Sequence, residues 1–210
     1  MSPSPPVKLS NFSYLCRANS NHSDSMLTIF DDMTQVTEAE VQRMLGLVDE
    51  PIRSEALRYK HLSGQFEHLK TWLMLVEMLK PLGVTNFELK YNEHGKPSLV
   101  HYPDIHFNIS HCKKGLAVAV DNQPIGIDIE SFRNPDPALV RKTMNDEEAA
   151  QIHCAEDFIR FWTMKEAVLK LRGTGIVDCL HGVLDNKGYR LVTEVNREKE
   201  YVVSVAYQEC

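Results

Sequence analysis

The sequence predicts an α+β protein made of two packed halves rather than a doubly wound parallel sheet. Helical periodicity dominates residues 37–80, strand patterns fill 87–130, helices return up to residue 171 and strands close the chain. A parallel sheet would instead alternate strand and helix one by one. At 210 residues the chain is long enough for one large domain or two small ones. No Gly/Ser-rich linker or low-complexity run separates the blocks, so the halves must pack directly.

Each element follows from local pattern. Segments 10–15 and 26–30 read as strands split by a polar loop over 19–25. Thr37-Glu38-Ala39-Glu40 is a capping box, which starts a helix near Glu38. Helical patterning runs to about Lys80, with breaks expected at Pro51 and near Gly64. Phe66, Leu69, Trp72, Leu73, Val76 and Leu79 keep an apolar stripe at helical spacing, and Pro81 and Gly83 end it. Strands are expected over 87–91, 105–109, 116–120 and 125–130, with a turn over 92–97. Asn145 to Glu148 is a second capping box, and a longer helix runs from about Glu156 to Leu171 and stops at Gly173. Segments 182–184, 189–193 and 201–207 read as the closing strands.

Composition narrows the function. Hydrophobic residues make up 43% and charged residues 25%, which excludes a collagen-like, low-complexity or wholly disordered chain. Acids outnumber bases 29 to 23, a formal net charge of −6, so the basic excess of a duplex-binding protein is missing and nucleic acid is not an expected partner. Cys16, Cys112, Cys154, Cys179 and Cys210 are scattered without zinc spacing and read as reduced cytosolic thiols. No apolar run approaches the roughly 20 residues of a membrane span, and residues 1–6 lack the features of a secretory signal. A cytoplasmic location with no membrane partner is expected.

Four short stretches carry chemistry. In Ile125-Gly126-Ile127-Asp128-Ile129-Glu130, strand alternation sends the three isoleucines to one side and both carboxylates to the other. Two such carboxylates repel unless a cation lies between them, and hard oxygen donors suit Mg²⁺; an edge strand with a solvated polar face shows the same alternation. In Phe161-Trp162-Thr163-Met164-Lys165-Glu166-Ala167-Val168-Leu169-Lys170, Glu166 and Lys170 are helical neighbours bordering an apolar arc, where they face a cleft or form an ordinary exposed pair. In His106-Phe107-Asn108-Ile109-Ser110-His111, Ser110 and His111 point to opposite faces, so they form no dyad with each other. Lys96, in the turn Gly95-Lys96-Pro97, can meet a phosphate or stay solvated. No GxxxxGK[ST], GxGxxG or HExxH is present, which argues against nucleotide-hydrolysing, nicotinamide and zinc-protease chemistry.

Taken in order and spacing, GKP (95–97), HFNISH (106–111), QPIGIDIE (123–130) and FWTMKEAVLK (161–170) resemble the 4′-phosphopantetheinyl transferases, specifically the two-lobed surfactin-synthetase-activating type. The resemblance is close over residues 95–170, weaker upstream and loose in the last strands. It implies two similar α+β subdomains, 1–122 and 123–210, related by a pseudo-twofold with the active site in the cleft between them. It implies a monomer that moves 4′-phosphopantetheine from coenzyme A to a serine of an apo acyl carrier protein or peptidyl carrier domain, releasing 3′,5′-ADP. Residue by residue, Asp128, Glu130 and Glu166 look like the ligands of Mg²⁺, with Mn²⁺ as a substitute. Glu166 also looks like the general base, and Asp128 and Lys170 complete the catalytic set, with Lys170 on the coenzyme A pyrophosphate. Ser110 and His111 look like ligands of the 3′-phosphate region, and Lys96 and Pro97 like the turn beside the adenine. Lys70 stands where the family often has an arginine, losing the bidentate fork, and Arg53 is a further candidate. Lys113 and Lys114 are expected on a basic rim for the carrier. The alternatives are a catalytically silent coenzyme A- or carrier-binding homologue, which this intact residue set disfavours, and a metal-dependent hydrolase using the same carboxylates.

Overall fold

The computed structural model describes residues 13–14, 25–175, 180–185 and 188–209. Residues 10–12 and 15–24, and with them most of the first expected strand and loop, lie outside that set, as do Cys16, Cys179 and Cys210.

The fold is α+β. Strand β1 (Ser13–Tyr14) pairs with β2 (Met26–Phe30), and the chain then forms helices α1 (Glu38–Leu45), α2 (Ile52–Ala56) and α3 (Leu62–Leu79). A hairpin of β3 (Leu89–Tyr91) and β4 (Pro97–Leu99) precedes β5 (His106–Cys112), β6 (Gly115–Asp121) and β7 (Ile125–Ser131). Helices α4 (Pro137–Thr143), α5 (Asp146–Ala149) and α6 (Ala155–Arg172) follow, and β8 (Tyr189–Asn196) and β9 (Tyr201–Gln208) close the chain. The strands form an antiparallel sheet in the order β1-β2-β6-β5, a second in the order β7-β9-β8, and the separate β3-β4 hairpin.

Alternation along the strands generates the layers. Leu116, Val118 and Val120 of β6 join Phe66, Leu69 and Leu75 of α3 in one core. Ala117 and Ala119, on the other face of β6, meet Ile125, Ile127 and Ile129 of β7 and Val203 and Val205 of β9. The small alanines let the two sheets approach. The far face of the second sheet is covered by α6, whose Ala167, Val168 and Leu171 pack on Ala206. The order through the molecule is helices, sheet, sheet, helices.

Two close approaches fix how α6 lies. A Cβ at Gly126 would stand 2.1 Å from the carbonyl oxygen of Ala167 and 2.3 Å from the Leu171 nitrogen, so β7 and α6 meet backbone to backbone there. At its end, α6 is capped by Gly173 with φ 69°, and the carbonyls of its last turn are met by the β3-β4 hairpin. Lys96 Nζ donates to the carbonyls of Lys170 (2.6 Å), Leu171 (3.1 Å) and Ile125 (3.2 Å), and Asn92 Nδ2 donates to Gly173 O (2.8 Å). The carbonyls at the end of a helix lack a partner within it, and Lys96 and Asn92 supply donors to those of Lys170, Leu171 and Gly173, Lys96 reaching β7 at Ile125 as well.

Several local expectations shift. Thr37 Oγ1 accepts from Glu40 N, but the Glu40 carboxylate turns to Arg43 instead of back to Thr37, so only half the first capping box forms. The Asn145–Glu148 box is complete. The break expected near Gly64 falls just before it, over 57–61, and Gly64 itself sits in the first turn of α3. Segment 182–184 forms a turn, not a strand, and α4, opened by the Asp136 cap and Pro137, was not expected. β5 runs three residues beyond the expected 105–109, to Cys112, because its pairing with β6 continues to Gly115.

Replacing Gly126 with Ala should lower unfolding stability by about 2 kcal/mol or more, since a backbone-to-backbone contact cannot yield as a side chain does. Denaturant melts of the two proteins measure this directly.

Candidate active site

A cavity of about 730 Å³ is walled by α2 and α3, the β3-β4 hairpin, β5, β7 and α6. That is within the size range of small-molecule sites. Its floor is built where β7 meets β5 and α6.

Strand β7 places its side chains by alternation. Ile127 and Ile129 are fully buried between the sheets, while Asp128 and Glu130 face α6. Because α6 runs antiparallel to β7, Gly126 lies under Leu171, Asp128 beside Lys170 and Glu130 beside Trp162. Glu166, one turn before Lys170, joins the same space. The structure therefore brings Asp128, Glu130, Glu166 and Lys170 together, although they come from two segments some forty residues apart.

The hydrogen bonds are asymmetric. Lys170 Nζ donates to Asp128 Oδ1 at 2.7 Å and to Ser110 Oγ at 2.9 Å. Ser110 Oγ donates to the same Asp128 Oδ1 at 2.8 Å and accepts from the Ile129 N–H at 3.2 Å. Glu130 takes Arg133 at 3.3 Å. Asp128 Oδ2 and Glu166 Oε1 are buried without a hydrogen-bond partner among the described residues. Burial, reinforced by the neighbouring Asp128 charge, pushes both Glu130 and Glu166 above the usual carboxylate range, and Lys170 opposes this in each case.

A buried carboxylate oxygen without a donor is costly unless something positive or a proton meets it. Three carboxylates with two such oxygens are a hard-oxygen donor set, which fits a divalent cation chemically. As the side chains stand, no group of three or more His, Cys, Asp or Glu among the described residues is arranged to hold a metal ion, so the fit is one of donor chemistry and not of a preformed site. Lys170 already takes up the charge on Asp128 Oδ1.

The remaining candidates divide. His111 lines the cleft, on the face of β5 opposite Ser110, with Nδ1 3.2 Å from Glu67 Oε2 of α3. Lys96 and Pro97 also line it, but the Lys96 ammonium is bound to the three carbonyls described above. Ser110 is buried, and its single proton is committed to Asp128. Lys70 lies outside the cleft wall: it is buried in the helix-side core with its ammonium 4.2 Å from the centre of the Phe30 ring. Its place on α3 turns it away from the cleft-lining face that carries Gly64, His68, Thr71 and Trp72. Arg53 donates to the carbonyls of Leu45 and Val48 and holds the end of α1. Lys113 and Lys114 form the β5-β6 turn, with Lys114 3.3 Å from Glu200.

Sequence reasoning missed an aromatic wall. Tyr59, Trp72, Tyr91 and Trp162 line the cleft, and His68 lies between the Tyr59 and Trp72 rings, its buried Nε2 3.7 Å from Glu55 Oε2. These residues come from a loop, two helices and a hairpin, so no sequence spacing ties them together. Lys165 was also passed over: it is fully buried, 2.6 Å from Glu148, and donates to the Leu180 carbonyl at 2.7 Å, fastening α6 to α5.

Residues 124–205 match the family model described as the 4′-phosphopantetheinyl transferase superfamily. A 4′-phosphopantetheinyl transferase of Bacillus subtilis is 28% identical, with 67% of each chain covered. The 4′-phosphopantetheinyl transferase Sfp of Bacillus subtilis strain 168 is 25% identical over the same share of both chains. The 4′-phosphopantetheinyl transferase gsp of Aneurinibacillus migulanus is 31% identical, covering 57% of this chain and 54% of its own.

Burial draws the Lys96 pKa down to about 8 from its usual 10.5. Between those values the unfolded chain holds a proton that the folded one has released, so this residue's contribution to stability rises with pH across that window and is smallest below pH 8. Unfolding curves at pH 7.5, 9 and 10 should show the wild type gaining stability relative to Lys96→Met as pH rises.

Proposed function

We propose that this chain, which belongs to the 4′-phosphopantetheinyl transferase superfamily, transfers 4′-phosphopantetheine from coenzyme A to a serine hydroxyl of an apo acyl or peptidyl carrier protein. The observation that carries the reading is that Asp128 and Glu166, which line one cleft with Lys170, each keep a buried oxygen without a hydrogen-bond partner among the described residues, Oδ2 and Oε1.

In the reaction, the serine oxygen bonds to the phosphorus that bears pantetheine. The bond from that phosphorus to the bridging oxygen breaks, and 3′,5′-ADP leaves with the electron pair. The serine proton passes to Glu166. A carboxylate held above its ordinary range is a better base near neutral pH, and burial places Glu166 there. Lys170 brings a positive charge into the cleft, where charge on the pyrophosphate must be offset. Asp128, Glu130 and Glu166 would hold Mg²⁺ or Mn²⁺, which when bound offsets phosphate charge and eases loss of the serine proton. The aromatic wall of Tyr59, Trp72 and Tyr91 offers flat apolar surface to the nucleoside end of the donor.

The division at 1–122 and 123–210 belongs to this reading. The cleft is walled by residues from both sides of that boundary, which supports action as a monomer. No described helix is long and apolar enough to cross a membrane.

Incubation with coenzyme A, Mg²⁺ and apo carriers of the fatty-acid and peptide-synthetase types, read by intact mass, tests the proposal. A carrier heavier by one phosphopantetheine is expected. Unmodified carriers of both types, with coenzyme A still bound, would instead favour a silent binding homologue. Glu166→Gln should reduce transfer by on the order of a hundredfold or more while coenzyme A affinity, measured by calorimetry, stays near wild type. Undiminished turnover would refute the base assignment.

A further inference from the structure

The Ser110 hydroxyl is saturated. A hydroxyl has one proton to donate and two lone pairs to accept with. Ser110 gives its proton to Asp128 Oδ1 and accepts from the Ile129 N–H and from Lys170 Nζ. It is 5% exposed, and nothing remains with which to donate to a ligand phosphate.

The same bonds select an oxygen on Asp128. Both donors that reach this carboxylate, Ser110 and Lys170, meet Oδ1, and Oδ2 is left buried without a partner. The Ile129 N–H in turn holds Ser110, and Asp128 is the residue immediately before Ile129 on β7. A short closed circuit thus runs from β5 to the backbone of β7, to the Asp128 carboxylate and to α6.

We propose that Ser110 is a positioning residue that fixes the Asp128 carboxylate through Oδ1, so that Oδ2 is the atom presented to the cleft. It acts through Asp128 and Lys170 and makes no contact with coenzyme A. The inference rests on the transferase reading for its kinetic consequence but not for its binding consequence. Loss of the hydroxyl frees the Asp128 carboxylate to rotate and strips Lys170 of its second acceptor. Removing a partner that orients a ligating carboxylate weakens cation affinity or activity by roughly 10–100-fold.

The test compares Ser110→Ala, Ser110→Cys and Ser110→Thr with wild type, each checked by thermal melting. Three quantities are measured: kcat and KM for coenzyme A, the Kd of coenzyme A without carrier, and Mn²⁺ binding by electron paramagnetic resonance with no substrate present. For Ser110→Ala, kcat should fall about 10–100-fold and Mn²⁺ affinity about tenfold, with KM and Kd for coenzyme A within about twofold. Ser110→Thr, which keeps the hydroxyl, should recover most of both losses. If Ser110→Ala does not fold, Ser110→Cys gives the same comparison with matched volume and a weak donor. A rise in KM and Kd for coenzyme A with kcat and Mn²⁺ affinity unchanged would make Ser110 a ligand contact and overturn the proposal. Wild-type values in the folded Ala or Cys variant, or no recovery in a folded Ser110→Thr, would overturn it as well. If wild type transfers nothing, the transferase reading fails, and the Mn²⁺ titration still decides the role of Ser110.

Discussion

Two side chains on β5 do the work of a missing strand. The Ile127 N–H donates to Asn108 Oδ1 at 2.8 Å and the Ile129 N–H to Ser110 Oγ at 3.2 Å, while among the described strands β5 pairs only with β6 and β7 only with β9. The two sheets are therefore stitched along one edge by side chains instead of a backbone ladder. The seam satisfies buried amides that would otherwise be costly. It also holds β7 where its alternate residues, Asp128 and Glu130, open toward α6. Every element of the cleft floor takes its position from this join.

Other contacts hold the same arrangement from outside. Gly126 lets α6 lie directly on the β7 backbone, and Lys96 and Asn92 tie the end of that helix to the β3-β4 hairpin. On the far side Asp31, just after β2, receives the Tyr201 hydroxyl at 3.0 Å and Lys199 at 2.7 Å, which joins the first sheet to the β8-β9 turn. Burial pushes the Tyr201 pKa up to about 12, so its hydroxyl stays a donor across the physiological range. Within this frame the charges do not cancel. Lys170 answers Asp128 and Arg133 answers Glu130, but among the described residues Glu166 has no cation within salt-bridge reach. Folding has concentrated negative charge in one half-buried place, and such concentrations mark sites where an ion, a proton or a phosphate is handled.

Much of this was legible in the chain. The alternation of Ile125 through Glu130 shows which side chains point inward and which outward, because strand geometry leaves no choice. The spacing of Glu166 and Lys170 shows them as neighbours for the same reason on a helix. The opposition of Ser110 and His111 was likewise visible, and the two do face Asp128 and Glu67 respectively. Lys70 was not legible. Its position on α3 is clear from the sequence, but whether that face looks into the cleft depends on how α3 packs, and it packs with Lys70 over Phe30.

The sequence by itself determined the α+β class, the positions of most helices and strands (α4, β4 and the turn at 182–184 excepted), and the four motifs with their alternating faces. These depend on periodicity and capping, which are local. Only the tertiary structure decided that Lys96 serves the end of a helix, that Ser110 spends its proton on Asp128, and that one oxygen of Asp128 and one of Glu166 are left without a partner. Hydrogen-bond capacity is a property of a whole neighbourhood, and that neighbourhood exists only once β5, β7 and α6 have come together.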